Sequence, residues 1–128
     1  MTVDQLAKAA AFRALHEREQ FFVMPNARDA GSARFLAAAG FAAIGTTGGG
    51  VNRSMGREDF VYAVPAEKML EAYHRIAESV DVPVSGDLEN GYGASPEAVA
   101  ETIRQSIVGG IGRWQHRGFD RRPSPAPL

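Results

Sequence analysis

Two carboxylates separated by a single residue are the clearest chemical signal in this sequence. Asp87 and Glu89 follow the short apolar segment 82–85, and Asn90-Gly91 come next. Residues i and i+2 of an extended segment point the same way, so we expect both side chains to project together from a strand end. Two carboxylates with several waters suit a hard cation such as Mg²⁺. A solvated acidic strand end has the same spacing, and both interpretations stay open at this point.

A glycine run follows another short apolar segment. Thr46 and Thr47 precede three consecutive glycines at 48–50. Glycines allow close backbone approach, and consecutive N–H groups can bind a carboxylate or a phosphate. The run is neither a Walker A loop nor a dinucleotide fingerprint. It therefore predicts either an anion-binding loop or a flexible turn.

A third acidic residue, Asp59, lies in the polar, glycine-containing loop predicted for 52–64. Long loops in compact β/α folds are often functional, although a lone loop aspartate is more commonly a solvated surface residue. The histidines at 16, 74 and 116 form no cluster with metal-ligand spacing, and we interpret them as surface residues.

The secondary structure predicted around these residues places them at one edge of a sheet. Hydrophobic periodicity and capping residues predict helices over 5–18, 29–39, 65–79 and 95–107. Short apolar runs predict buried strands over 21–24, 41–44 and 82–85. Strands alternating with helices indicate a parallel α/β fold. Loops at the carboxyl ends of such strands carry the chemistry, and the glycine run and the acidic pair both fall there.

The composition is that of one ordinary globular domain. The chain has 128 residues, of which 45% are hydrophobic and 23% charged. A net charge of −1 gives no reason to expect a nucleic-acid partner. No stretch approaches the roughly 20 apolar residues that span a bilayer, so no membrane partner is predicted. There is no cysteine, which excludes disulfides and permits the cytoplasmic location that we predict.

Residues 112–128 differ from the rest of the chain. They contain four arginines, one aspartate and a proline-rich end, without periodicity. This composition predicts a disordered basic tail, with no further strand after the last helix. Its arginines could contact a phosphate backbone. We favour a tail without that role, since the segment offers no folded scaffold.

Four motifs, in order, resemble the isocitrate lyase/phosphoenolpyruvate mutase family. Segment 24–34 resembles its Pro-Asn-x-x-Asp-Ala-Gly-Ser-Ala-Arg signature, and 46–50 its Thr-Thr-Ser-x-Gly substrate loop. Segment 54–59 resembles its Ser-Leu-Gly-x-x-Asp, and 83–93 its Pro-Val-Ser-Ala-Asp-Leu-Glu-Asn-Gly-Tyr-Gly. The resemblance covers about residues 10–111.

The resemblance implies a partial TIM (β/α)8 barrel, with about the first three to four βα units in residues 1–111. It implies Mg²⁺-dependent chemistry on small 2-oxo or phosphoenol acids, either C–C cleavage or P–C/P–O rearrangement through an enolpyruvate intermediate. Mapped onto this chain, the substrate carboxylate would be bound by Thr47, Gly48 and Gly49. Mg²⁺ would be held, mostly through water, by Asp59, Asp87 and Glu89. No catalytic acid or base is implied.

Departures from the family pattern concern completeness. A family barrel needs about 250 residues, and the later active-site segments have no counterpart here. We therefore expect a truncated member that is impaired or inactive alone. The truncation argues against the family-type homo-oligomer, and we expect poor solubility or assembly with another copy. A coding sequence for Glu-Asp-Gly-Asn-Thr, read in a shifted register, gives the Arg-Trp-Gln-His-Arg of residues 113–117, which suggests a frameshifted tail. The alternative function is a non-enzymatic phosphate- or carboxylate-binding β/α module.

Overall fold

Helices and parallel strands alternate along the chain. The computed structural model describes residues 3–59, 64–111 and 113–115. Five helices lie in these ranges: α1 (Val3–Glu17), α2 (Ala30–Ala38), α3 (Gly48–Ser54), α4 (Ala66–Glu78) and α5 (Pro96–Val108). The strands are β1 (Asn26–Ala27), β2 (Ile44–Thr46), β3 (Val84–Asp87) and β4 (Arg113–Gln115).

The four strands form one parallel sheet in the order β1-β2-β3-β4. Ile44 pairs with Val84, and Asp87 pairs with Gln115. Neighbouring parallel strands need helical crossovers, and α2, α4 and α5 lie in the three connections. The predicted parallel α/β fold is confirmed, and the carboxyl ends of β2 and β3 lie side by side.

Local capping signals located the helix boundaries well. Asp29 caps α2, and its Oδ1 accepts a hydrogen bond from the Ser32 N–H at 2.7 Å. Ser95 caps α5, where its Oγ accepts from the Ala98 N–H at 3.2 Å. Gly40, with a φ of 91°, adopts the left-handed conformation expected after a helix end.

The strands lie closer to the carboxyl ends of the apolar runs than predicted. The run 21–24 forms no ladder, and Phe21 is 89% exposed, so the buried strand predicted there is wrong. Pairing begins two residues later, where Asn26 meets Gly45. An apolar run indicates that a segment can be buried. Whether it forms a parallel ladder depends on a partner segment that is distant in sequence.

The glycine run does not form a loop, because Gly48–Ser54 form α3. Thr47 is the N-cap, and its Oγ1 accepts from the Gly50 N–H at 3.2 Å. Glycine disfavours a helix by about 1 kcal/mol relative to alanine. The Thr47 cap and the burial of the Val51 side chain offset that cost.

The predicted start of the disordered tail at residue 112 is also wrong in part. Residues 113–115 form β4, which pairs in parallel with β3. Residue 112 and residues 116–128 lie outside the described residues. Most of the segment to which the frameshift hypothesis applies is therefore not described.

The core lies between the sheet and the helices, chiefly α4. Met69, Tyr73 and Ile76 of α4 are each at most 1% exposed, and they belong to the same cluster as Ile44 and Val84 of the sheet. This packing fixes α4 against the strands whose ends carry the acidic residues. Among the helices described, none is long and apolar enough to cross a membrane.

Candidate functional site

The ends of β2 and β3 are joined by a buried hydrogen bond. The Asp87 N–H donates to Thr46 Oγ1 at 2.8 Å. Thr46 is 2% exposed and Asp87 is 3% exposed. Buried backbone donors need acceptors, so this bond holds the backbone of Asp87 beside β2.

Glu89 lies in a tight turn immediately after β3. Its N–H donates to Asp87 Oδ1 at 3.2 Å, and the residue is buried. Its φ of 47° is left-handed. That conformation costs a non-glycine residue about 1–2 kcal/mol, and such strain is concentrated at functional sites. The turn therefore keeps two acidic residues together in a buried place at an energetic cost.

The glycines of α3 lie directly against two of the predicted carboxylates. A methyl group placed on Gly48 would lie 3.0 Å from Glu89 Oε1. A methyl group on Gly49 would overlap the Asp59 carboxylate and would lie 3.0 Å from Arg53 Nη1. Because these glycines have no side chain, both carboxylates reach the backbone of the first turn of α3. The structure thus brings together the glycine run and the acidic residues that the sequence predicted.

Thr47 contributes mainly as the cap of α3. Its hydroxyl accepts the Gly50 N–H, and its carbonyl accepts the Val51 N–H at 3.0 Å. The N–H groups of Gly48 and Gly49 belong to the first turn, where a helix supplies no internal acceptor. These two N–H groups are the part of the glycine run suited to an anionic ligand.

Two tyrosines that the sequence did not assign to the site belong to it. The Tyr73 hydroxyl lies 3.5 Å from the Tyr92 hydroxyl and 3.5 Å from the position of a methyl on Gly48. Burial raises the pKa of both tyrosines, and the negative charges of Asp87 and Glu89 raise it further. Tyr73 repeats at helical spacing with Met69 and Ile76, a pattern that indicates burial but does not show what the tyrosine hydroxyl contacts.

The donor set fits a hydrated hard cation. Within the described ranges, no three histidine, cysteine or acidic side chains lie together closely enough to bind a metal directly. A closed zinc site needs four direct ligands, whereas Mg²⁺ keeps several waters and takes one or two carboxylates. Asp87 and Glu89 supply two carboxylates of the kind that the second pattern uses, and Asp59 lies beside the neighbouring Gly49.

The histidines of the described residues lie elsewhere. His16 is exposed, as predicted, and its ring packs 4.6 Å from that of Phe12. His74 is half-buried, and its ring lies against Gly109 at the end of α5. The surface position predicted for His74 is therefore wrong, because α5 covers it.

Comparison with known proteins identifies the family. Residues 12–112 match the family model described as phosphoenolpyruvate phosphomutase. The chain belongs to this family. Among curated relatives, 2,3-dimethylmalate lyase from Eubacterium barkeri is 32% identical over 104 residues, which cover 80% of this chain and 35% of the lyase. An uncharacterized protein of Mycobacterium tuberculosis is 38% identical over 101 residues, covering 79% of this chain and 38% of that protein.

Solved structures of the family superpose closely on this chain. A Burkholderia cenocepacia J2315 protein assigned as a lyase/mutase is 45% identical with a TM-score of 0.80, covering 84% of this chain and 38% of that one. Phosphoenolpyruvate phosphomutase from Streptomyces platensis subsp. rosaceus is 28% identical with a TM-score of 0.77, covering 83% and 36%. The chain thus spans well under half of these relatives, and its α/β fold is that of a partial TIM barrel, as the resemblance implied.

Proposed function

We propose that this chain carries the metal- and carboxylate-binding part of a Mg²⁺-dependent lyase or mutase site for small 2-oxo or phosphoenol acids. The observation that carries the proposal is the approach of Glu89 Oε1 to Gly48, 3.0 Å from the position of a methyl group there. It joins an acidic turn and a glycine-rich helix start in one place. Family membership and relatives named as a lyase and a phosphomutase support the reaction class.

A divalent cation would suit the charges of this site. Asp87 and Glu89 are buried, and Asp59 reaches the neighbouring glycine, where Arg53 Nη1 also lies. A cation bound between these carboxylates and an anionic acid would reduce the repulsion between them. We assign that cation as Mg²⁺, held by the three residues mostly through water. When bound, it supplies Lewis-acid stabilisation of an enolate-type oxygen.

The residues of α3 have a different task in the proposed site. The first-turn N–H groups of Gly48 and Gly49 would donate to the substrate carboxylate. Thr47 would hold these groups in place by capping the helix through Gly50. Positioned binding of the carboxylate sets the orientation of the bond that breaks, whether C–C or P–C.

The 128-residue chain alone is expected to bind its ligands and to turn them over slowly or not at all. The described residues form four parallel strands, and a closed barrel has eight. Water therefore has access to one side of the site, which weakens the electrostatic interactions that the reaction needs.

Calorimetry with Mg²⁺ and oxalate, an enolpyruvate mimic, tests the proposal. We expect oxalate binding that requires Mg²⁺ and is lost in Asp87→Ala. Asp81→Ala is the matched control, since this exposed aspartate precedes β3 at its opposite end. Oxalate binding that is equal with and without Mg²⁺ would instead support a metal-independent carboxylate-binding module.

A further inference from the structure

We infer that the hydroxyl groups of Thr46, Tyr73 and Tyr92 form a hydroxyl chain that positions Asp87 and Glu89 for a bound cation. This role rests on the proposed function, because it concerns the same carboxylates. The three residues come from different elements: β2, α4 and the loop between β3 and α5. A connection between them therefore fixes the acidic turn relative to both the sheet and a helix.

The contacts of the hydroxyl chain run from a helix to the acidic turn. The hydroxyls of Tyr92 and Tyr73 lie 3.5 Å apart. The Thr46 side chain lies close enough to the Tyr73 hydroxyl to oppose the rise in its pKa. Thr46 Oγ1 accepts the Asp87 N–H at 2.8 Å. The hydroxyl chain thus ends on the backbone N–H of Asp87, whose carboxylate accepts the Glu89 N–H.

Tyr73 also approaches Glu89 from the side. A methyl group on Gly48 would lie 3.0 Å from Glu89 Oε1 and 3.5 Å from the Tyr73 hydroxyl. The carboxylate and the hydroxyl therefore border the same small volume beside Gly48. A phenol at this place can orient the carboxylate directly or through one water.

Packing alone does not explain tyrosine at position 73. Its side chain is fully buried in the core of α4, where phenylalanine would fill the same volume. A buried hydroxyl is unfavourable unless it finds partners. The side chains of Tyr92 and Thr46 lie next to this hydroxyl, and both residues are beside the acidic turn. The polar atom is thus directed to the site rather than to the core.

The test removes single hydroxyls and measures metal binding separately from folding. Tyr73→Phe and Tyr92→Phe are compared with Ser106→Ala, which removes a buried α5 hydroxyl that donates to the Ile103 carbonyl of the same helix at 2.8 Å. Mn²⁺ binding is followed by electron paramagnetic resonance with Mg²⁺ competition, and thermal unfolding by circular dichroism. We expect about a tenfold loss of Mg²⁺ affinity in each tyrosine variant, with wild-type affinity in Ser106→Ala.

A double variant shows whether the hydroxyls act as one unit. Tyr73→Phe/Tyr92→Phe is expected to bind Mg²⁺ no more weakly than the weaker single variant, because residues in one network are not additive. Wild-type affinity in both single variants would overturn the inference, as would an equal loss in Ser106→Ala. A wild-type chain that binds no Mg²⁺ would instead overturn the proposed function, and this outcome is distinct from a tyrosine effect. Should Tyr73→Phe not fold, Tyr92→Phe alone carries the same comparison.

Discussion

Substituting alanine for Gly48 is expected to weaken metal binding without unfolding the protein. The new methyl group would lie 3.0 Å from Glu89 Oε1, whereas ordinary van der Waals contact begins at 3.4 Å. The carboxylate must therefore move by a few tenths of an ångström. Displacing a group that orients a metal ligand typically costs about 10- to 100-fold in affinity. We expect a loss near the lower limit for Mg²⁺.

The stability of Gly48→Ala should change little. Replacing glycine by alanine in a compatible conformation stabilises by about 0.4–1 kcal/mol through the unfolded chain, which offsets the strain of the new contact. Gly31→Ala is the matched control, because Gly31 lies at the start of α2 and its methyl group would meet Asp29 Oδ1 at an ordinary 3.5 Å. The assays are Mg²⁺ titration calorimetry and urea unfolding. Unchanged Mg²⁺ affinity in a folded Gly48→Ala protein would refute the placement of Glu89 at the metal.

Three further predictions concern the scaffold. Asp29→Ala removes the α2 cap and should lower the free energy of unfolding by about 1 kcal/mol in urea unfolding. Hydrogen bonds from Ser32 hold the pKa of Asp29 below its usual value. The stability that ionised Asp29 contributes is therefore present above about pH 4 and is lost as the pH falls through the folded pKa. Ile76→Ala should cost about 2–5 kcal/mol because the side chain is fully buried. Gly109→Ala places a methyl group on the His74 ring and should lower the free energy of unfolding by about 1–3 kcal/mol.

Helices with local signals were predictable from the sequence, and strand positions were not. Asp29 and Ser95 begin α2 and α5 because an N-cap depends on residues three positions away. Strand β1 depends instead on Gly45, whose missing side chain leaves room for the Asn26 side chain. That contact joins distant segments, and no periodicity within 21–24 reports it.

The candidate site was predictable in its residue types and only partly in its geometry. The Asp87 and Glu89 spacing and the glycine run indicated a shared edge, because carboxyl ends of parallel strands meet there. The helical start at Gly48 was missed, since three glycines disfavour a helix, and the burial of Val51 that offsets part of this cost depends on tertiary packing. Tyr73 was missed because its helical spacing is the same for a residue that only fills the core and for one whose hydroxyl reaches the site.

The left-handed backbone at Glu89 allows the effect of the carboxylate on Mg²⁺ binding to be measured separately from its effect on stability. Glu89→Gly and Glu89→Ala both remove the carboxylate, so both should lose Mg²⁺ binding alike. Only glycine accepts the φ of 47° without steric cost. Alanine at this φ lowers the free energy of unfolding by about 1–2 kcal/mol. Glycine has the greater entropy in the unfolded chain, which removes about half of its advantage over alanine.

Urea unfolding of these two variants is therefore expected to show Glu89→Gly as the more stable, by about 0.5–1 kcal/mol. The comparison cancels every contact of the glutamate side chain, because both variants lack it. Equal stability, or a more stable alanine variant, would mean that the turn relaxes out of the left-handed region. In that case the positive φ of Glu89 does not destabilise the fold, and backbone strain gives no support for a function of the acidic turn.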